Sequence, residues 1–296
     1  MFFFCSVLHR LVLEMMNMKC AWAELLAILP QWLRPQVDQV GRDELQELRL
    51  RINYPPELVC SRDIKQLSGT VTVTDLHFVI NTASGYSPWS ADTISQGYLT
   101  PPGGHRIGVC GEAVIHQGHM TGIRTPSSLC IRVAKDFPGI GSAIGRLTGS
   151  VLIIGRPGSG KTTLLRDLIR IRSQERPESI AVVDERREVF PQASGFSPGP
   201  RTDVLHGCSK EEGIDILLRT MGPGTIAVDE ITCEKDCTAL MKAGWCGVDL
   251  LATAHASSRK ELYARPVYQP LVKSRLFDHL VILHEDKSCT SERMER

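Results

Sequence analysis

The sequence predicts an α/β protein in two parts: an open C-terminal domain on a mostly parallel sheet, preceded by a smaller mixed α/β domain. Three observations carry this. In the second half, the apolar runs VLIIG, IAVVDE, TIAVDE, DLLATAH and LVILH are separated by amphipathic stretches, as expected of strands buried on both faces with helices between them. In the first half, Leu48, Leu50 and Ile52 alternate with Arg49, Arg51 and Asn53, the period-two pattern of a half-buried strand. Between the halves, residues 138–149 turn to Gly, Ser and Pro, the composition of a boundary. The expected organisation is an N-terminal extension (1–23), a small α/β domain (24–145), a larger α/β domain (146–285) and a flexible tail (286–296).

Composition narrows the class. The chain has 296 residues, 42% hydrophobic and 23% charged, which excludes disorder and collagen-like repeats. Lys plus Arg number 34 against 33 Asp plus Glu, a net charge of +1, so no bulk field points to nucleic acid or anionic lipid. The ten cysteines include no C-x-x-C pair, and Cys233 with Cys237 lacks a second metal-spaced pair. They read as small apolar side chains kept reduced in a cytoplasm rather than as zinc ligands. The opening MFFFCSVLHRLVLEMM is broken by His9, Arg10 and Glu14, too short an apolar run to span a bilayer. It reads as an amphipathic extra turn or a non-native start, since Met15, Met16 and Met18 could each initiate, with a membrane-surface helix as the alternative.

Taken in order, Leu25, Leu26, Leu29, Leu33, Val37, Val40, Leu45 and Leu48 fall at helical spacings interrupted by Pro30 and Pro35, so short helices are expected from Ala23 towards Leu50. A strand ends at Pro55 and Pro56, a second strand carries Pro56 to Cys60, a helix covers 74–84, and the glycine-punctuated 98–133 reads as strands.

The strongest chemical signal is Gly155-Arg156-Pro157-Gly158-Ser159-Gly160-Lys161-Thr162, followed by Thr163, lying after the strand VLII and before the helical TLLRDLIRI. Glycines let backbone amides turn inward around phosphate oxygens, and the following helix adds its N-terminal dipole and unpaired N–H groups. Lys161 is placed to neutralise β and γ phosphates and Thr162 to offer a hydroxyl to Mg2+. The expected ligand is Mg-ATP. The strand TIAVDE supplies Asp229 for the magnesium shell and Glu230 to polarise the attacking water.

A further apolar strand, IAVVDERREV, ends in Asp184, Glu185 and Glu188. An inserted strand between the lysine loop and the Asp-Glu strand matches the RecA-like branch of P-loop enzymes. Either Asp184 or Glu185 is a candidate for catalysis or the magnesium shell, against a plain role at a strand end. DLLATAH delivers His255 to the sheet edge where open α/β sheets bind ligands, a position suited to sensing the γ-phosphate. Arg106, Arg124, Arg132 and Arg219 are candidate phosphate contacts, each with a surface ion pair as the competing reading.

The segments GRPGSGKTTLLRDL, VVDERREV, GPRTDVLHGCSK, LLRTMGPGTIAVDEI and LLATAHA together resemble the stage III sporulation protein AA family, a RecA-like AAA-type branch related to secretion and pilus-assembly motors. LQELRLRINYPPELV and GYLTPPGGHRIGVCGEAV extend the resemblance into the first half. It implies an ATPase that assembles as a homo-oligomeric ring, possible as a hexamer, and serves endospore formation beside membrane proteins of a channel, cytoplasmic or peripheral to the membrane. It also implies that Asp184 to Glu188 and Ala252 to His255 hold the places of the motors' acidic and histidine boxes. Arg219 matches an arginine before the acidic strand, and Arg132 or Arg124 takes the finger role.

The leading expectation is therefore a ring ATPase energising or gating a secretion-like channel. The alternative is a nucleotide-dependent switch or scaffold that recruits a partner with little turnover. A DNA or RNA motor fits poorly, because acidic and basic residues balance in the first domain and leave no basic stripe.

Overall fold

In the computed structural model, residues 18–61, 63–85, 97–191 and 196–294 are described; the N-terminal extension up to residue 17 lies outside them. Contacts divide the chain between Asp136 and Phe137, ahead of the boundary expected at 145/146. The loop after Phe137 is bound to the second unit: Ile144 joins that unit's core, and the Asp167 carboxylate accepts the amides of Gly139 and Gly141.

The N-terminal unit begins with two short helices, α1 (Trp22–Ala27) and α2 (Arg34–Val40), divided at Pro30. Its sheet runs β1 (Leu45–Arg51), β2 (Glu57–Cys60), β3 (Ile64–Gln66), β4 (Tyr98–Leu99), β5 (Arg106–His116) and β6 (His119–Arg132), in the order β3-β2-β1-β6-β5-β4. Leu45 and Leu48, whose spacing suggested helix, belong to β1 instead. Pairing with β2 and β6 on either side overrides the local periodicity. Helix α3 (Val73–Ala83) starts at a capping box: the Asp75 amide donates to Thr72 Oγ1 at 3.2 Å and the Thr72 amide to Asp75 Oδ2 at 2.8 Å. Leu48, Leu50, Ile107 and Ile131 from the sheet pack with Leu25, Val37, Leu76 and Val79 from the helices. Buried His105 ties this unit together. The Ala134 amide donates to its Nδ1 at 3.1 Å, so the ring proton sits on Nε2 and is given to Ala21 O at 2.8 Å.

The C-terminal unit carries β7 (Val151–Gly155), α4 (Lys161–Glu175), β8 (Ile180–Asp184), β9 (Thr202–His206), α5 (Lys210–Thr220), β10 (Thr225–Ile231), α6 (Glu234–Trp245), β11 (Asp249–His255), α7 (Arg259–Ala264), α8 (Gln269–Ser274), β12 (His279–Leu283) and β13 (Cys289–Arg293). The sheet order is β13-β12-β7-β11-β10-β8-β9, parallel throughout except for β13. β7, β8 and the interiors of β10 and β11 are buried. Alternate residues of β7 serve different cores: Leu152 and Ile154 pack under α5 and α6, Val151 and Ile153 under α4.

Two features correct the sequence reading. TDVLH, absent from the five apolar runs, is the edge strand β9, whose half-exposed side chains gave no continuous apolar signal. Within the segment expected as a flexible tail, Cys289–Arg293 form β13, pairing antiparallel with β12 from Leu283↔Cys289 to His279↔Arg293, and the next residue, Met294, is buried, its amide donating to Asp278 O at 2.8 Å. Its charged composition reflects a sheet edge rather than a loose end.

Candidate functional site

The loop between β7 and α4 is shaped by its glycines. Gly158 (φ 72) and Gly160 (φ 105) occupy the left-handed region, and Gly160 in that conformation is the N-cap of α4. Gly155 is fixed by crowding instead, since a Cβ there would lie 2.5 Å from Ser159 Oγ. Ser159 is buried and its hydroxyl has no hydrogen-bond partner, an available polar group inside the cradle.

Lys161 is 6% exposed. Its Nζ donates to Gly155 O and Arg156 O, both at 3.1 Å, and lies 3.0 Å from His255 Nδ1. An ammonium only donates, so Nδ1 accepts and the imidazole proton sits on Nε2, which is 2.6 Å from Glu230 Oε2. A continuous chain thus runs from Lys161 through His255 to Glu230. The His255 amide donates to Tyr268 Oη at 3.1 Å, and that hydroxyl donates to Ile231 O at 3.4 Å. Burial lowers the Lys161 ammonium, opposed by the charges of Glu230 and Asp229.

Thr162 Oγ1 donates to Asp229 Oδ1 at 3.3 Å, joining the loop to β10. The β10–β11 register shifts by one residue between Ala227 and Glu230, and this bulge brings consecutive Asp229 and Glu230 to the same working edge, one against Thr162 and the other against His255. Burial and the neighbouring Asp184 push the Asp229 carboxyl up to about 6. A threonine hydroxyl facing a carboxylate is a hard-oxygen donor set, and it fits a magnesium ion shared with phosphates. Thr163 follows, half-buried, at the start of α4.

The two acids at the end of β8 take separate parts. Asp184 is fully buried, and its carboxylate accepts the amides of Glu188, Val189 and Phe190 at 2.8–3.2 Å; it shapes the turn after β8. Glu185 is partly exposed and meets Lys210 Nζ at 2.7 Å. Lys210, 5% exposed at the start of α5, also lies 3.7 Å from Asp236. Asp236 in turn accepts the Thr232 amide at 2.8 Å just beyond Glu230. Sequence reasoning missed Lys210 and Asp236, since a lone lysine opening a helix has no local signature.

Arg219 ends α5, and its Nε donates to Asp215 O at 3.0 Å. Lys210 begins that helix beside the strand ends, so Arg219 sits at the opposite edge of the sheet. Arg132 belongs to the N-terminal unit, its Nε 3.3 Å from Glu47. Arg124 pairs there with Glu112 at 2.6 Å, and Arg106 stacks on Tyr98 at 4.4 Å.

Beside the loop, on its β12 side, lies a pocket of about 420 Å3 bounded by Arg156, Pro157, Gly158 and Ser159 and by the turn after Leu283. Arg156 forms an ion pair with Glu285 in that turn. Among the described residues, no helix is long and apolar enough to cross a membrane.

Comparison with known proteins agrees with this arrangement. Residues 23–293 match the family described as sporulation stage III, protein AA. The chain is 34% identical over 280 residues to stage III sporulation protein AA of Bacillus subtilis strain 168, covering 89% of this chain and 91% of that one. It is 26% identical to an uncharacterised ycf45 protein of Porphyra purpurea, over 84% of this chain and 43% of that one. Among solved structures, the ATPase DotB of Legionella pneumophila superposes with a TM-score of 0.58 at 17% identity, covering 90% of this chain and 80% of DotB. The pilus retraction motor PilT with bound ADP gives 0.56 at 12%, covering 88% and 81%. At those identities the likeness is one of fold: an α/β, RecA-like architecture with an antiparallel N-terminal sheet and a mostly parallel second sheet.

Proposed function

We propose that this chain, which belongs to the stage III sporulation protein AA family, binds Mg-ATP on residues 155–163 and hydrolyses it. The observation that carries the reading is the convergence of Lys161, Thr162, Asp229, Glu230 and His255, drawn from one loop and two strands onto one sheet edge. Thr162 and Asp229 would hold Mg2+, which when bound neutralises charge on the β and γ phosphates.

In this reading, incoming phosphate oxygens replace the loop carbonyls as partners of Lys161. The ammonium then leaves His255 Nδ1, and the imidazole keeps its Nε2 proton on Glu230. Glu230 orients water towards the γ-phosphate and takes its proton, and His255 holds that carboxylate in place. His255 thereby reports whether phosphate is bound.

Glu185, held by Lys210, is a support for the site's edge rather than a second base. The transition-state arginine is not among the groups brought together within the C-terminal unit. Arg132 is the candidate supplied by the N-terminal unit of the same or a neighbouring copy in a homo-oligomeric ring. The B. subtilis relative's name points to sporulation, and in that setting such a ring, cytoplasmic and peripheral to the membrane through its partners, would energise or gate a channel.

The test is ATP turnover per protomer across protein concentrations, with Lys161→Ala as control. A rate that rises with concentration and vanishes in the control is expected. A flat, near-zero rate with ATP still bound would replace the motor by a nucleotide-dependent switch.

A further inference from the structure

The pocket beside the phosphate loop has a wall that the catalytic reading does not use. β12 runs parallel to β7 with Leu283 opposite Gly155, so the β12–β13 turn begins level with the first residue of the loop. The turn is tightly built. The His284 amide donates to Ser288 O at 2.9 Å, and the Lys287 amide to His284 O at 3.1 Å. Asp286 Oδ1 accepts both the amide and the hydroxyl of Ser288, at 2.9 and 2.6 Å. Lys287 sits at φ 67, a left-handed conformation that an L side chain rarely adopts. From there its Nζ reaches 129 residues back and donates to Gly158 O at 2.7 Å. Its neighbour Glu285 holds the Arg156 guanidinium.

The sheet order says what this wall faces. The groups for the γ-phosphate end lie on β10 and β11, whereas β12 flanks β7 on the other side. A nucleotide whose terminal phosphate lies towards Asp229 and Glu230 therefore has its nucleoside end free to fall on the β12 side. The pocket there, about 420 Å3, is within the size range of small-molecule sites. Two cations border it, Arg156 and Lys287, and each is fixed by a bond to a partner across the pocket. Flat aromatic bases attract cations to their faces.

We propose that the β12–β13 turn is the nucleoside wall of the site, with Lys287, anchored on Gly158 O, lying across the face of an aromatic base and Arg156 bordering it. This rests on the ATP-binding reading above and assigns the base-dependent part of the affinity to a segment outside the phosphate loop.

The experiment is calorimetric titration of the full chain with two probes, ATP and inorganic tripolyphosphate, which carries the phosphates without a base. Lys287→Ala is expected to weaken ATP about tenfold and to leave tripolyphosphate within about twofold of the parent. Retained tripolyphosphate binding shows that the variant is folded at the site. Lys287→Arg, which keeps a cation and a donor for Gly158 O, is expected within about threefold of the parent for ATP. An unchanged ATP affinity in Lys287→Ala, or an equal loss for both probes, would overturn the nucleoside wall while leaving the phosphate site standing. A parent chain that binds neither probe would overturn the ATP reading and this inference with it.

Discussion

The two sheets of this protein display their chemistry in different places. Inner strands of the C-terminal sheet are covered on both faces, so their sides are apolar and their reactive groups emerge at one end: Asp184, Asp229 with Glu230, and His255 close β8, β10 and β11. Strands of the N-terminal sheet are covered on one face, so polar groups emerge along their length. In β1, Leu48 and Leu50 are buried while Arg49 and Arg51 pair outside with Glu47 and Glu57. A functional residue in the C-terminal sheet can be expected from its position at a strand end. In the N-terminal sheet it must be found among many surface arginines, most of which already have a carboxylate partner.

The largest effect that would break this contrast concerns the strand ends. Lys161→Ala is expected to weaken ATP binding by about a hundredfold or more, and Glu230→Gln to lower turnover by roughly 10²–10⁴ while binding is kept. Retained turnover in Glu230→Gln would remove the base from the end of β10. Removing Arg124 or Arg132, each already paired, should change stability by less than about 1 kcal/mol, so a large loss of turnover in Arg132→Ala without a loss of stability would mark the finger.

Next come neighbouring residues of one strand. In β7, Leu152→Ala and Ile153→Ala face different cores, and each is expected to cost about 2–5 kcal/mol in urea unfolding. In β1, Leu48→Ala should cost a similar amount, whereas its neighbour Arg49→Ala should stay under about 1 kcal/mol. Equal costs at Leu48 and Arg49 would contradict a one-sided sheet.

A smaller effect lies at Asp229. Its folded carboxyl is raised from 3.8 to about 6 by burial and the nearby Asp184, so the fold favours the protonated form. The penalty for ionisation is absent below pH 3.8, grows between the two values and is complete above about 6. Asp229→Asn should therefore raise the melting temperature of the ligand-free protein above pH 6, by a stabilisation on the order of 3 kcal/mol, while abolishing magnesium-dependent turnover. The gain should fade as the pH approaches 4.

The smallest is at His105. Burial holds its folded value below the ordinary 6.5 by desolvating the charged ring, and protonation would also cost the bond from the Ala134 amide to Nδ1. Its contribution is present above pH 6.5 and is lost as pH falls below that value. Acid should thus weaken the N-terminal unit, and the pH dependence of its unfolding should flatten in His105→Gln.

Much of the fold and of the site was legible because it is local. The loop at 155–162 carries its own backbone geometry, with left-handed glycines where its turn needs them and a helix starting at Lys161. β7, β8, β10, β11 and β12 were visible as unbroken apolar runs because both their faces are buried. β9 and β13 were not, since edge strands keep exposed polar side chains, and β13 was taken for a tail for that reason.

What the sequence by itself determined was the phosphate loop, the Asp-Glu strand end, the five buried strands of the C-terminal sheet and the family resemblance, all of them set by consecutive residues. Tertiary structure alone decided the division of labour among equally plausible side chains. Asp184 is committed to three backbone amides while Glu185 faces Lys210, Arg219 falls at the far edge of the sheet, and Lys287 returns to Gly158 from 129 residues away. The physical reason is that a carboxylate or an ammonium has the same chemistry wherever it is written. Its role is set by which donors, acceptors and charges the fold brings within about 3 Å of it, and those partners come from other strands.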